Sequence, residues 1–328
     1  MPIEKLIAKE LNISLSQVEN TVKLIDAGNT IPFIARYRKE QTGNLDDVTL
    51  RKLDDRLGYL RNLEKRKGEV LRLIGEQDAL TDEIEVSVNA AATLTEVEDI
   101  YRPFKPKRKT RASVAKQKGL EPLALLILAQ KALDIDAEAA KYLDDIKEAK
   151  QGAADIIAEL ISDDAALRKR LRQFFCGEGI IVSKAAKTAE SVYEMYYNFS
   201  EAVSKIAPHR VLAINRGEKE GFLKVSIEVD AEKCAAIINA AYVKGTGACA
   251  EFVRAAGADA FKRLIAPSLE NEVRNDLTLD ADQKAIEVFA LNLKNLLMAA
   301  PVRGKVILGL DPAYRTGCKI AVINAYSK

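Results

Sequence analysis

The sequence predicts a mainly α fold, a multi-helix scaffold with a helix-turn-helix-like N-terminal part, one β-hairpin near 211–229 and two short strands at the C-terminal end. Three observations predict it. Apolar residues recur at helical spacing over long stretches, as in Leu50, Leu53, Leu57, Leu60, Leu63, Val70 and Ile74. Aromatic residues make up only 6% of the 328 residues and Trp is absent, so the core is mostly aliphatic and suits packed helices. The period changes in two places only, near 211–229 and beyond 304.

Taken in order, Ile3, Leu6, Ile7 and Leu11 mark a first helix. A second starts near Ser16, carries Val18, Val22 and Ile25, and stops at Gly28. Two short helices with a brief joint resemble a helix-turn-helix, a pattern that any helical bundle also supplies. Thr30 as N-cap and Pro32 near the first helical position predict re-entry into a helix over Ile31–Lys39. A long charged helix is expected from about Asp46 to Glu76. Thr81 and Thr95, each ahead of an acidic residue, predict two more helix starts. Pro103 and Pro106 break the helical pattern, so Arg102–Thr110 is expected to be an exposed loop. Val211–Ile214 and Phe222–Val229 read as two strands joined by a Gly-flanked turn, with His209, the only histidine, heading the first. Residues 231–300 return to Ala-rich helix. Lys305–Leu310 and Cys318–Ile323 read as strands joined by the turn 311–317. The domains so expected are a helical N-terminal domain over 1–130, a central helical scaffold over 131–300 with the hairpin inserted at about 211–229, and the strand pair in 301–328.

Fifty Lys+Arg against 48 Asp+Glu leave a net charge of +2, which excludes a uniformly basic nucleic-acid coat. The balance is uneven, however. Arg102, Lys105, Lys107, Arg108, Lys109, Arg111, Lys116 and Lys118 occupy one stretch without an acidic residue, whereas 132–164 holds ten Asp+Glu against three Lys. The acidic segment reads as a solvated helical face, and charge composition alone does not show contact with the basic one. The longest strongly apolar stretch, Leu123–Ala129, falls far short of the roughly 20 residues needed to span a bilayer. No secretory signal is visible, and four scattered cysteines form no CxxC pair, which fits a reducing, cytoplasmic setting without a zinc site. No cofactor motif is found.

Four stretches carry a family resemblance: Gly28–Glu40 (GNTIPFIARYRKE), Tyr101–Ala112 (YRPFKPKRKTRA), His209–Glu218 (HRVLAINRGE) and Leu308–Lys319 (LGLDPAYRTGCK), with Gly119–Leu123 in support. In this order they resemble the bacterial Tex family of RNA-binding transcription accessory proteins. The resemblance implies a helical scaffold followed by an RNase H-like domain of the YqgF type, helix-hairpin-helix elements and an S1 domain. It also implies that this sequence stops two strands into the RNase H-like domain, so 301–328 is expected to be the opening of that domain.

Function follows as an expectation. Lysines and arginines that neutralise phosphates give salt-sensitive binding without sequence preference. The candidate nucleic-acid contacts are Arg102, Lys105, Lys107, Arg108, Lys109 and Arg111, with Tyr101 and Phe104 as candidate stacking rings. The alternative for this loop is a solvated segment or arginines bonded inside the scaffold. Arg36, Arg38 and Lys39, with Tyr37 among them, form a weaker second group, for which ion pairing with Glu40 or Asp46 is the plainer reading. Asp311 matches the first-strand carboxylate that binds Mg²⁺ in RNase H-like nucleases, but one carboxylate does not make that site. It is expected to be vestigial, with no catalytic residue, cofactor or metal. The chain is therefore expected to be a non-enzymatic nucleic-acid-binding transcription accessory factor acting on RNA or DNA. The alternatives are a protein-interaction scaffold docking on RNA polymerase or the ribosome, and a metal-dependent nuclease using Asp311.

Overall fold

Many helix starts in this computed structural model follow side chains that satisfy free backbone N–H groups, although Thr30, at the N-cap of α3, makes no such bond. Residues 2–106, 109–187, 190–300, 302, 304–313 and 317–326 are described. In chain order the elements are α1 (Ile3–Leu11), α2 (Leu15–Asp26), α3 (Ile31–Tyr37), α4 (Asp47–Gly75), α5 (Asp82–Ala90), α6 (Leu94–Tyr101), α7 (Arg111–Gln117), α8 (Glu121–Leu128), α9 (Ile135–Ala139), α10 (Ile146–Asp163) and α11 (Ala165–Glu178). They continue with β1 (Ile180–Ala185), β2 (Asn198–Ala202), α12 (Pro208–Lys219), β3 (Leu223–Glu228), α13 (Ala231–Tyr242), α14 (Ala248–Ala260), α15 (Ala266–Leu297), β4 (Ile307–Ala313) and β5 (Gly317–Ile323). The fold is mainly α. Among the described residues no helix is long and apolar enough to cross a membrane.

The capping chemistry explains the agreements and the small shifts. Ser14, two residues before the expected start at Ser16, opens α2 with a reciprocal box: its hydroxyl accepts from Gln17 N, and Gln17 Oε1 accepts from Ser14 N at 3.0 Å. Asp46 accepts from Thr49 N at 2.7 Å and starts α4, whose apolar stripe is buried as expected. Thr81 caps α5. The next start is Thr93, not Thr95. Glu96 lies three residues after Thr93, donates its N–H to the Thr93 hydroxyl and accepts from Ala92 N at 2.7 Å, so the helix starts two residues early.

The hairpin expected at 211–229 is not formed. Pro208 stands in the first turn of α12, where its missing N–H costs nothing, and Val211, Ile214 and Gly217 face the core at three-residue spacing. His209 therefore lies in a helix. β3 is a strand, but its partner is distant: it pairs antiparallel with β1, Ile181 opposite Ile227 and Ser183 opposite Val225, while β1 pairs with β2 on its other edge. The sheet order is β2-β1-β3. At the C-terminal end β4 and β5 pair antiparallel, Leu310 opposite Ile320. β4 continues past Leu310, so Asp311 is a strand residue opposite Lys319 and not part of a turn.

The chain forms two compact units. The first comprises residues 1–176 and 229–269 and holds two aliphatic cores. One joins α1–α6 around Ile7, Ile34, Leu53, Leu57 and Val97. The other joins α7, α8, α10 and α14 around Ala115, Leu120, Ile127, Ile156 and Val253. The second unit comprises 177–228 and 270–328, with a core of Ile181, Tyr193, Tyr196, Val211, Ile214 and Leu223.

Candidate nucleic-acid interface

The segment from α6 to α7 is anchored by charge pairs in the first unit. Asp99 on α6 is buried and accepts from Arg168 Nε at 2.8 Å and Arg172 at 2.7 Å, both on α11. Arg168 itself is fully buried, so each partner offsets the desolvation of the other. Glu98, one residue earlier, accepts from Arg66 Nε and Lys105 Nζ, both at 2.6 Å. Burial pushes the Glu98 carboxyl up, but the hydrogen bonds from Arg66 and Lys105 outweigh it and hold the group below the usual carboxylate range. The two cations also face the ring of Tyr101, Arg66 at 5.5 Å and Lys105 at 5.8 Å from its centre.

Among the described residues, four of the six cations of the basic stretch meet carboxylates, two of them on the acidic α10. Arg102 donates to Asp163 at 3.2 Å, and Lys118 pairs with Glu148. Thr110, which caps α7, also donates to Glu159 at 3.1 Å. Lys116 pairs with Glu121 on α8 at 3.0 Å. The acidic segment is thus the electrostatic partner of the basic one as well as a solvated face. Lys107 and Arg108 lie outside the described residues. Lys109 and Arg111 are exposed and, among the described residues, without an ion-pair partner. Both line a cleft of about 500 Å³ between α7 and α10, together with Lys118, Glu148, Gln151 and Asp155. Asp155 is engaged by Arg263 at 3.0 Å. The structure therefore gathers Lys109 and Arg111 and ties Arg102 and Lys105 elsewhere. It also removes the two aromatic candidates of the loop. Tyr101 is buried, and Phe104 packs against the N-terminal core.

The second candidate group has a different setting. Arg36, Arg38 and Lys39 are exposed at the end of α3, and among the described residues none pairs with Glu40 or Asp46. Asp46 is occupied as the cap of α4, and neighbouring Asp47 bonds Arg51 at 2.9 Å. The cations face rings instead: the Arg38 guanidinium lies 5.4 Å from the centre of Phe33, and that of Arg36 lies 6.0 Å from Tyr37. Phe33 was not singled out from the sequence. Its spacing of four from Tyr37, on a helix face flanking that of Ile31 and Ile34, is the signal the sequence offers.

Asp311 is exposed on β4. Among the described residues no group of three or more His, Cys, Asp or Glu gathers as a metal-holding cluster.

These features define a class: a helical scaffold that presents cations from α3 and from the α6–α7 connection, with a small three-stranded sheet in its second unit. A Tex-like protein N-terminal domain model matches residues 1–75, and a Tex central region-like model matches residues 128–289. The chain belongs to the Tex family. YdcI of Bacillus subtilis, itself named as uncharacterized, is 47% identical over 338 residues, covering 99% of this chain and 47% of its own length. Protein tex of Bordetella pertussis is 41% identical, covering 98% of this chain and 44% of its own. The transcriptional accessory protein Tex of Neisseria gonorrhoeae is 39% identical, covering 100% and 45%. The chain spans about half the length of these relatives.

Proposed function

We propose that the chain is a non-enzymatic scaffold of a transcription accessory factor that contacts nucleic-acid phosphates without sequence preference. The observation that carries this reading is the contrast inside the basic stretch. Arg102, Lys105, Lys116 and Lys118 are held by carboxylates, whereas Lys109 and Arg111 are exposed and unpaired among the described residues, at the mouth of the α7–α10 cleft. Family membership and the name of the gonococcal relative support the transcription setting. On the same reading β4 and β5 open an RNase H-like domain, and Asp311 is a vestige of its carboxylate position.

The reading is tested by anisotropy titration of the 328-residue chain with single-stranded RNA and with duplex DNA across a salt series. Affinity should fall steeply as salt rises. Lys109→Ala with Arg111→Ala should lower the slope of log affinity against log salt by about 2. No binding at low salt, or an unaltered slope in the double variant, overturns it.

A further inference from the structure

We infer that α3 and the turn after it form a second contact site, a stacking platform for single-stranded nucleic acid. Phe33 and Tyr37 lie four residues apart on the outer face of α3, with ring centres 5.2 Å apart and planes inclined at 48°. They are 37% and 60% exposed, so both rings are open to a ligand from outside the helix. The N-terminal core takes the flanking face of the helix, where Ile31 and Ile34 are buried. Arg36 and Arg38 lie against the rings and Lys39 follows, so π faces and cations share one surface.

The backbone beneath is fixed. Thr42, fully buried, donates its hydroxyl to Lys39 O at 3.0 Å. Asn44 N donates to the same carbonyl at 2.8 Å, and Gln17 Nε2 donates to Gly43 O at 3.0 Å. Gly43 and Asn44 take φ values of +64° and +61°, the left-handed conformation that turns the chain back into α4. Arg38 and Lys39 thus project from a pinned turn, which lowers the entropy lost on binding.

The charge identifies the occupant. Elsewhere on these helices arginines meet carboxylates, as in Arg56–Glu10, Arg61–Asp26 and Arg66–Glu98. The α3 cations meet none among the described residues, although Glu40 and Asp47 are close in sequence. Cations beside open rings suit unpaired bases with phosphates between them. A duplex presents phosphates but keeps its bases stacked inside, so it uses the cations and not the rings.

This site shares with the proposed function only the class of ligand, and the test separates the two. The chain has no Trp, so Phe33→Trp places a single indole on the platform. A uridine or thymidine 20-mer should quench its emission, and a 20-mer of abasic residues should not. Phe33→Ala with Tyr37→Ala should weaken single-strand binding by about tenfold or more while leaving duplex binding and thermal stability unchanged. Phe33→Leu with Tyr37→Leu, which keeps apolar bulk without a ring, should behave like the alanine pair. Single-strand binding retained in both double variants overturns the platform. So does equal loss of duplex binding, or quenching by an acidic peptide in place of the oligonucleotide. If Lys109→Ala with Arg111→Ala weakens binding while the ring variants do not, the platform falls and the loop reading stands. Failure of the unaltered chain to bind any nucleic acid defeats both.

Discussion

The two cationic surfaces of the first unit are built from the same residue types and differ in what their side chains meet. Along the basic stretch 102–118, carboxylates of α6, α8 and α10 neutralise Arg102, Lys105, Lys116 and Lys118. On α3 aromatic rings sit beside the cations instead. Among the described residues the denser run of charge is therefore the more neutralised one, and the sparser run keeps more of its field. Counting charges along a chain measures composition; the potential offered to a ligand depends on carboxylates that fold in from tens of residues away.

If the paired cations are structural, disturbing their partners should cost stability first. The largest effect is expected for Asp99→Ala, which takes one carboxylate from the buried Arg168 and from Arg172. It should destabilise by roughly 3–5 kcal/mol, read from urea unfolding. A loss below about 1 kcal/mol would show that the pair does not hold α6 to α11.

Next comes Gly152→Ala on α10. A Cβ there collides with Leu120 Cδ1 and comes within 3.2 Å of Ala115 Cβ, prying α10 from α7 and α8, at a cost of roughly 1–3 kcal/mol. Gly58→Ala on the exposed side of α4 meets nothing within 4 Å and should stabilise by up to about 1 kcal/mol. Equal melting shifts for the two variants would remove the packing argument.

The third test compares the surfaces directly. Arg36→Ala, Arg38→Ala and Lys39→Ala together should lower the salt slope of nucleic-acid binding by up to about 3, whereas Arg102→Ala with Lys105→Ala should leave it nearly unchanged. The reverse ranking would show that Arg102 and Lys105 reach the ligand despite their carboxylates.

The smallest effect is a pH dependence. The Glu98 carboxyl is held below its unfolded value, so the stability it contributes is fully present above that value and is lost as pH falls through the lower, folded one. Glu98→Gln should lower the melting temperature slightly at pH 7 and narrow the gap between pH 7 and about pH 3. An unaltered gap would show that Glu98 does not bear on acid stability.

Local signals made much of the fold legible. α4 could be read end to end because its cap, Asp46, and its stripe of leucines lie within the helix and next to it. α12 could not. Val211–Ile214 is too short a run to separate period two from a buried helical turn, and Pro208, a helix-start signal, stands just outside it. β3 was read as a strand, but its partner β1 lies about forty residues upstream, beyond any hairpin rule. The candidate site was legible in outline only. Lys109 and Arg111 could be named from the charge run, yet the pairing of Arg102 crosses 61 residues to Asp163 and leaves no local trace. Phe33 escaped notice because its exposure is decided by which face of α3 lies on α4.

The discontinuity of the first unit bears on synthesis. Among the described residues the apolar core of α1–α6 draws on none beyond 104, so it can close early on a growing chain. The core around α10 needs α14, where Gly257 lets the helix approach Ile161 and Ile238. That partner is made only after the whole of β1–β3. Nascent chains arrested before Ala248 should therefore protect the first core from protease and leave α10 open to cleavage, with protection of α10 arriving abruptly once residue 260 has emerged.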